Sequence, residues 1–143
     1  PYDTYRGRDG WITIAVNGTP MFERWARAVG REDLIGDPRM ADDGLRARHR
    51  QVIDDAMNHW LASRTIAEAL RELEAARVPA GPVLNFAEVL EDPQVKAREL
   101  LKYVDFPSAP KPVPLANTAV RLSSTPGGIR HRAPLLGEHT GEV

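Results

Sequence analysis

Proline is distributed unevenly along this chain, and its positions limit which segments can be helical. Six of the twelve prolines follow Phe106. Because proline lacks a backbone N–H and clashes with the preceding helical turn, long helices are expected only before that residue. The residues from Ser124 onward are rich in glycine and proline, and they are predicted to form an extended tail that buries little surface by itself.

The beginning of the sequence predicts a β-hairpin followed by a helix. The runs Tyr2–Arg6 and Trp11–Val16 flank a short turn, and apolar residues alternate along the second run. The next apolar residues repeat at helical spacing, which predicts a helix over Pro20–Val29 with Thr19 as its N-cap. A polar connector over residues 31–44 is then predicted to be an ordered surface loop.

Two further helices and an edge strand are predicted next. Apolar residues share one stripe at helical spacing over Asp43–Ala62, as expected for one long amphipathic helix. Thr65 and Glu68 then have the spacing of a capping box, which predicts a third helix that ends before Val78. Two prolines within Val78–Leu84 predict an extended segment at a sheet edge, because neither can donate a ladder hydrogen bond.

The rest of the chain predicts only short elements. These are helices over Phe86–Leu90 and Pro93–Leu100 and strands over Leu101–Phe106, Val113–Leu115 and Ala119–Leu122. Strands and helices do not alternate regularly, so the predicted class is α+β: a small antiparallel sheet with several amphipathic helices and an extended C-terminal tail. We expect a small α+β domain over residues 1–123 and the tail over residues 124–143.

The composition is that of an ordinary folded domain, and it excludes several functional classes. Lys and Arg number 19 against 20 Asp and Glu, so the formal net charge of -1 gives no electrostatic reason to expect nucleic acid. The absence of cysteine excludes disulfides, zinc–thiolate sites, iron–sulfur clusters and thiol catalysis. No apolar run approaches the roughly 20 residues of a membrane span and no secretory signal is present, so a cytoplasmic location is expected.

Few side chains have the spacing of a catalytic or metal site. His49 and His59 are predicted on different sides of one helix, so no metal site is expected there. Asp54 and Asp55 are adjacent and cannot face each other as an acid–base pair. The basic run Arg46–Arg50 is bracketed by aspartates, which favours a solvent-exposed helix face over a phosphate-binding surface.

The loop Val16–Pro20 is the strongest candidate for a functional segment. It joins the end of a strand to the N-terminus of a helix, where free backbone N–H groups can face an anion or an oxyanion. The same residues also fit an ordinary capped turn that binds nothing. The loop sequence alone leaves both interpretations open.

A set of short motifs spans nearly the whole chain. It comprises Pro1–Tyr5, Asp9–Ala15, Asp37–Arg39, Val78–Val83, Asp92–Val95, Ser124–Pro126 and Ala133–Thr140. In this order and spacing the set resembles the C-terminal portion of family III CoA-transferases. This is the CaiB/BaiF-like group, which also contains formyl-CoA transferases and α-methylacyl-CoA racemases. The Val-Pro-Ala-Gly-Pro-Val block and the Leu-Gly-Glu-His-Thr segment are its most specific parts.

The resemblance implies that the chain is the small C-terminal domain of an acyl-CoA:carboxylate CoA-transferase. In that family a large N-terminal domain supplies the essential aspartate and most CoA contacts, so no catalytic residue is expected here and the CoA-binding residues stay unassigned. A glycine-rich loop of the small domain covers the active site in formyl-CoA transferase-like members. Asn17, Gly18 and Thr19 are predicted to be the corresponding closing loop, although it contains a single glycine.

The same loop bears on the choice between transfer and racemisation. Racemase members carry a glutamate before a proline here, because moving a proton at the α-carbon requires an acid/base group. Thr19 precedes Pro20 in this chain and cannot take that role at neutral pH. CoA transfer is therefore expected, with an acyl-CoA racemase or epimerase of the same family as the alternative. A noncatalytic helical adaptor or nucleic-acid-binding module is the second alternative.

The expected partners follow from the resemblance. They are an acyl-CoA and a carboxylic acid, together with the large N-terminal domain, in an enzyme that is a homodimer at full length. Coenzyme A enters as a thioester substrate, and neither a tightly bound cofactor nor a metal is expected. Nucleic acid and membrane are not expected as partners, and the chain by itself is expected to be inactive.

Overall fold

A computed structural model describes residues 1–142. It divides the chain into two compact units, Pro1–Leu84 and Asn85–Val143. Both units combine helices with antiparallel strand pairs, so the predicted α+β class is confirmed. The predicted extent of the small domain over residues 1–123 stays a prediction.

The first unit contains three strands and four α-helices. In chain order these are β1 (Tyr2–Arg6), β2 (Trp11–Ala15), α1 (Thr19–Ala28), α2 (Asp43–Arg48), α3 (Arg50–Leu61), α4 (Ile66–Ala75) and β3 (Ala80–Pro82). The connector between α1 and α2 contains two 3-10 helices, Glu32–Leu34 and Pro38–Met40. The hairpin, the ordered connector and the third predicted helix are therefore confirmed.

The sheet of this unit has the order β1-β2-β3, and all its pairs are antiparallel. Tyr5 lies opposite Ile12, and Ile12 in turn lies opposite Pro82. Side chains alternate between the two faces of a strand, so Ile12 and Ile14 of β2 are both buried on the helical side. As predicted, the proline-containing segment forms an edge strand, where a missing donor does not interrupt the ladder.

The hydrophobic core lies between this sheet and helices α1, α3 and α4, with Leu34 and Met40 of the connector. Its largest fully buried side chains are Trp25, Phe22, Ile12, Ile14, Leu34, Met57, Leu61 and Leu73. The Phe22 and Trp25 rings pack with their centroids 5.3 Å apart, and the Trp25 Nε1 donates to the Met57 Sδ at 2.9 Å. Helix α1 is thereby fixed against α3 from inside the core.

The start of α4 is capped from two directions. Thr65 and Glu68 form the predicted capping box, with the Glu68 carboxylate accepting from the Thr65 N–H at 2.8 Å. Asp9, from the turn between β1 and β2, also accepts from the Ile66 N–H at 2.8 Å. The hairpin turn is therefore attached to the helix by a side chain that satisfies a free N–H of its first turn.

Two predictions about the first unit are wrong. The predicted single helix over residues 43–62 is two helices, because the backbone at His49 leaves helical geometry at φ -106° and ψ 26°. The assumed apolar stripe does not continue into α2, where Leu45 is half-buried and Arg46 is the buried residue. Thr19 is not the N-cap of α1 but its first residue. Gly18 occupies the cap position, so no side chain caps the helix there.

The second unit contains two short helices and one strand pair. Helices α5 (Phe86–Glu91) and α6 (Pro93–Ala97) are followed by β4 (Leu101–Val104) and β5 (Val113–Ala116). The two strands pair antiparallel, with Leu101 opposite Ala116. Asn85 forms a capping box with Glu88, and the Asp92 side chain caps α6, as the sequence indicates.

The second unit differs from expectation at the end of α6 and in the segment after β5. Helix α6 ends at Ala97 rather than at Leu100, because Glu99 adopts a positive φ of 46° that a helix cannot accommodate. No strand is present over Ala119–Leu122, so that prediction is wrong: the segment has apolar residues but no ladder partner. The residues from 124 to 142 contain turns and bends without a regular helix or strand.

Trp60 of α3 offers a direct test of this core. The residue is 5% exposed, and its replacement by alanine is expected to lower the free energy of unfolding by about 3–5 kcal/mol through the cavity left behind. Urea denaturation followed by circular dichroism measures this loss. His59→Ala, at the adjacent exposed position, is the control and should change stability by less than about 0.5 kcal/mol. An unchanged midpoint for Trp60→Ala would place its side chain outside the core.

Candidate functional site

The predicted closing loop connects β2 to α1, and glycine sets its shape. Gly18 has φ 75° and ψ 158°, a region that residues with a side chain rarely occupy. Its carbonyl accepts the Phe22 N–H at 3.1 Å, which begins the hydrogen-bond pattern of α1. The chain can therefore turn sharply from the strand into the helix at this residue.

The Gly18 N–H is already bound within the protein. It donates to the Oδ2 atom of Asp43, the first residue of α2, at 2.9 Å. Of the two interpretations that the sequence leaves open, a free N–H that faces an anion does not apply to Gly18, because the carboxylate of Asp43 takes that position. The alternative, a turn satisfied internally, describes this amide correctly.

Arg46 of α2 connects the same carboxylate to the loop. Its Nη1 donates to the Asp43 Oδ1 at 2.8 Å, and its Nη2 donates to the Thr19 Oγ1 at 3.0 Å. The Thr19 hydroxyl in turn donates to the Ala41 carbonyl at 3.4 Å. The Arg46 Cζ lies 4.3 Å from the centroid of the Phe22 ring, a cation–π contact that shields one face of the guanidinium.

The burial of this ion pair is asymmetric. Arg46 is 4% exposed, whereas the Asp43 side chain is 56% exposed. The hydrogen bond from the Gly18 N–H, followed by that from Arg46, holds the pKa of Asp43 below its usual value. Asp43 is therefore ionised at neutral pH and balances the buried guanidinium charge.

A cavity of about 230 Å³ opens beside the loop. Its lining includes Val16, Asn17 and Arg46, together with residues of β1 and α3. Among the lining residues, the Tyr5 hydroxyl donates to the Asp54 Oδ1 at 2.9 Å. Burial, and then this hydrogen bond, raise the pKa of Tyr5, so the phenol stays protonated and acts as a donor.

The other polar candidates are engaged in local contacts. Asp54 also accepts from the Arg50 Nε at 3.1 Å, while Asp55 accepts from Gln51 at 2.8 Å. The two aspartates have separate partners and do not form an acid–base pair, as predicted. In the second unit, hydrogen bonds from Arg132 and then from the Leu135 N–H lower the pKa of Glu138 to about 2, which fits a local structural role.

Residues 1–142 offer neither a metal-binding cluster nor a membrane-spanning helix. That part of the chain contains no group of three or more His, Cys, Asp or Glu residues placed to hold a metal ion. Within the same range, no helix combines the length and the apolar character needed to cross a bilayer.

The predicted site residues include the loop but not the two residues that fix it, Asp43 and Arg46. Aspartates bracket the basic run Arg46–Arg50, and this pattern predicts a solvent-exposed face, whereas Arg46 is buried. The Asp43–Arg46 spacing of three residues is an i,i+3 pair on a helix, and it was the available signal. Spacing alone does not show which such pair is buried against another element.

Similarity to known proteins extends along the whole chain. The family model described as CoA-transferase family III matches residues 1–140. Succinyl-CoA:mesaconate CoA-transferase from Haloarcula hispanica is 36% identical over 146 residues, covering 100% of this chain and 35% of the relative. The beta subunit of succinyl-CoA–L-malate CoA-transferase from Chloroflexus aurantiacus is 33% identical over 144 residues, covering 100% of this chain and 36% of the relative.

Solved structures agree with these sequence matches. A CAIB/BAIF family protein from Brucella suis superimposes with a TM-score of 0.70 at 30% identity, covering 99% of this chain and 36% of that one. A Mycobacterium tuberculosis protein gives a TM-score of 0.78 at 24% identity, with coverage of 99% and 38%, and supports the fold alone. The chain thus spans about a third of the length of the proteins it matches.

The Asp43 contacts predict a dependence of stability on acid pH. The folded-state pKa of Asp43 is lowered, so its carboxylate contributes stability above its unfolded pKa of about 3.9 and loses that contribution as the pH falls through the folded value. Asp43→Asn should therefore be less stable than the wild type at neutral pH, and the difference should shrink below about pH 4. Chemical unfolding across this pH range measures the difference.

Asp55→Asn serves as the control for removing one aspartate, because Asp55 contacts neither the loop nor Arg46. A difference between wild type and Asp43→Asn that stays constant from about pH 7 to about pH 2 would contradict the assigned role of the Asp43 carboxylate.

Proposed function

Because this chain belongs to CoA-transferase family III, we propose that it is the small C-terminal domain of an acyl-CoA:carboxylate CoA-transferase. The observation that carries the proposal is the match of the entire chain to enzymes named as succinyl-CoA CoA-transferases. Those enzymes are about three times as long, which supports a larger protein in which other residues perform the chemistry. A CoA thioester and a carboxylic acid are the proposed substrates.

The proposed reaction needs protection from water more than it needs acid–base groups in this domain. An aspartate of the large domain would attack the acyl-CoA thioester and release the CoA thiolate, giving a mixed anhydride. The thiolate would then attack the aspartyl carbonyl of the anhydride, which releases the donor carboxylate and leaves an aspartyl–CoA thioester. The acceptor carboxylate would attack this thioester and release the CoA thiolate, giving a second mixed anhydride. Attack of the thiolate on the acceptor's acyl carbonyl would give the new CoA ester and free the aspartate. Water hydrolyses such anhydrides readily, so the active site must be covered while they exist.

Asn17, Gly18 and Thr19 are proposed to form part of that cover. The loop lies beside a cavity, and its backbone and hydroxyl groups are bound to Asp43, Ala41 and Arg46, so it presents a defined surface. Thr19 precedes Pro20 and has no group that could accept a proton at neutral pH, which favours transfer over racemisation. No residue of this chain is assigned a catalytic role.

The cellular and quaternary setting is also part of the proposal. A cytoplasmic location is proposed, as expected from the sequence. A homodimer of the complete enzyme follows from the family resemblance described above. Coenzyme A is proposed as a substrate rather than as a bound cofactor.

The first test compares this chain with the complete enzyme. The purified chain is expected to form no mesaconyl-CoA or malyl-CoA from succinyl-CoA and the free acid, because the proposed nucleophile lies outside it. The complete enzyme, assayed with a panel of carboxylic acids, should transfer CoA to at least one of them. Liquid chromatography of the CoA esters measures both, with the Haloarcula hispanica relative as the positive control. Sustained turnover by the chain alone would contradict the proposal.

The second test concerns the closing loop in the complete enzyme. Gly18→Val should lower kcat by about tenfold or more, because a β-branched side chain at this backbone conformation displaces the loop. Gly30→Val is the matched control: both glycines have positive φ, 75° and 71°, and an added Cβ meets no atom within 4 Å at either position. Gly30 lies at the opposite end of α1, so its replacement should cost similar stability while kcat is retained. Equal kcat values for the two variants would argue against the closing loop.

A further inference from the structure

The placement of Arg46 is costly for a residue with only a structural role. Taking a charged guanidinium out of water is unfavourable, and well-packed apolar side chains often fill such a space with equal or greater stability. Arg46 is nevertheless 4% exposed, and its Nε is buried without a hydrogen-bond partner. The guanidinium does make directed hydrogen bonds that an apolar side chain could not make. These bonds, together with those of Asp43, fix the loop Asn17–Thr19.

Asp43 and Arg46 contact different residues of the loop. Asp43 uses its Oδ2 to hold the Gly18 N–H and its Oδ1 to accept from Arg46. Arg46 uses its second terminal nitrogen to hold the Thr19 hydroxyl. Two consecutive loop residues are thus fixed by a single ion pair on α2, one through its backbone and the other through its side chain.

We propose that Asp43 and Arg46 are positioning residues, which hold the loop Asn17–Thr19 in one conformation for the CoA-transfer reaction. This inference rests on the proposed function and deepens it. Neither residue is assigned a contact with substrate: each acts through Gly18 and Thr19. A loop held in advance loses little conformational freedom when the active site closes, so less of the binding energy is needed to order it.

Arg46→Lys tests whether the positioning of the loop depends on the shape of the guanidinium rather than on its positive charge or on the size of the side chain. A guanidinium presents two terminal nitrogens in a fixed plane and reaches Asp43 and Thr19 together, while a lysine ammonium is a compact point charge on a flexible stem. Arg46→Lys therefore keeps the positive charge and weakens the bridge. Arg48→Lys is the matched control, because it makes the same change at an exposed position of the same helix.

The experiment uses the complete enzyme and two independent measurements. Hydrogen exchange followed by mass spectrometry on a peptide covering residues 16–22 reports the protection of the Gly18 amide. Steady-state kinetics reports kcat and KM for the CoA ester. Arg46→Lys and Asp43→Ala are expected to accelerate exchange in this peptide by about tenfold and to lower kcat by a similar factor, with KM changed by less than about threefold. Arg48→Lys should match the wild type in both measurements.

The two measurements distinguish failure of the inference from failure of the proposed function. Unchanged exchange in both Arg46→Lys and Asp43→Ala overturns the inference, whatever the activity. Faster exchange with wild-type kcat overturns it as well, because order in the loop would then not matter for the reaction. If the wild-type enzyme transfers no CoA, the proposed function fails, while exchange still decides whether the ion pair orders the loop. Should Asp43→Ala fail to fold, the Arg46→Lys and Arg48→Lys pair decides.

Discussion

A buried arginine links the three parts of the protein that matter most for the proposed function. The Arg46 guanidinium packs on the Phe22 ring in the core, binds Asp43 on its own helix and binds Thr19 at the end of the candidate loop. Burying an unpaired charge is strongly unfavourable, so these contacts have to form together. The position of the loop therefore follows from the packing of α1 against α2.

Under the proposed function, this arrangement gives the active site a cover that is ordered before substrate arrives. A glycine-rich loop would be free to adopt many conformations, whereas this loop has one glycine, and the N–H of that glycine is bound to a carboxylate. The Thr19 hydroxyl is satisfied as well, by a donor and an acceptor. We infer that protection of a reactive anhydride here relies on a preset surface next to the cavity rather than on a large loop movement.

Local signals predicted much of the fold, and tertiary contacts account for the errors. The capping box at Thr65 and the edge strand β3 in the proline-containing segment are both correct, because each is indicated by residues close in sequence. The break at His49 and the burial of Arg46 depend on what α2 packs against, which periodicity does not contain. For the same reason the sequence does not predict the ion pair that holds the candidate loop, and the function of that loop stays a prediction.

The most direct measurement of the central claim is a crystal structure of the complete enzyme with an acyl-CoA bound. The account predicts that Asn17–Thr19 lie against the thioester, with the hydrogen bond from the Gly18 N–H to Asp43 and the Arg46 contact to Thr19 both retained. A structure in which this loop lies away from the thioester, or in which it reaches the thioester only after both contacts break, would contradict the account.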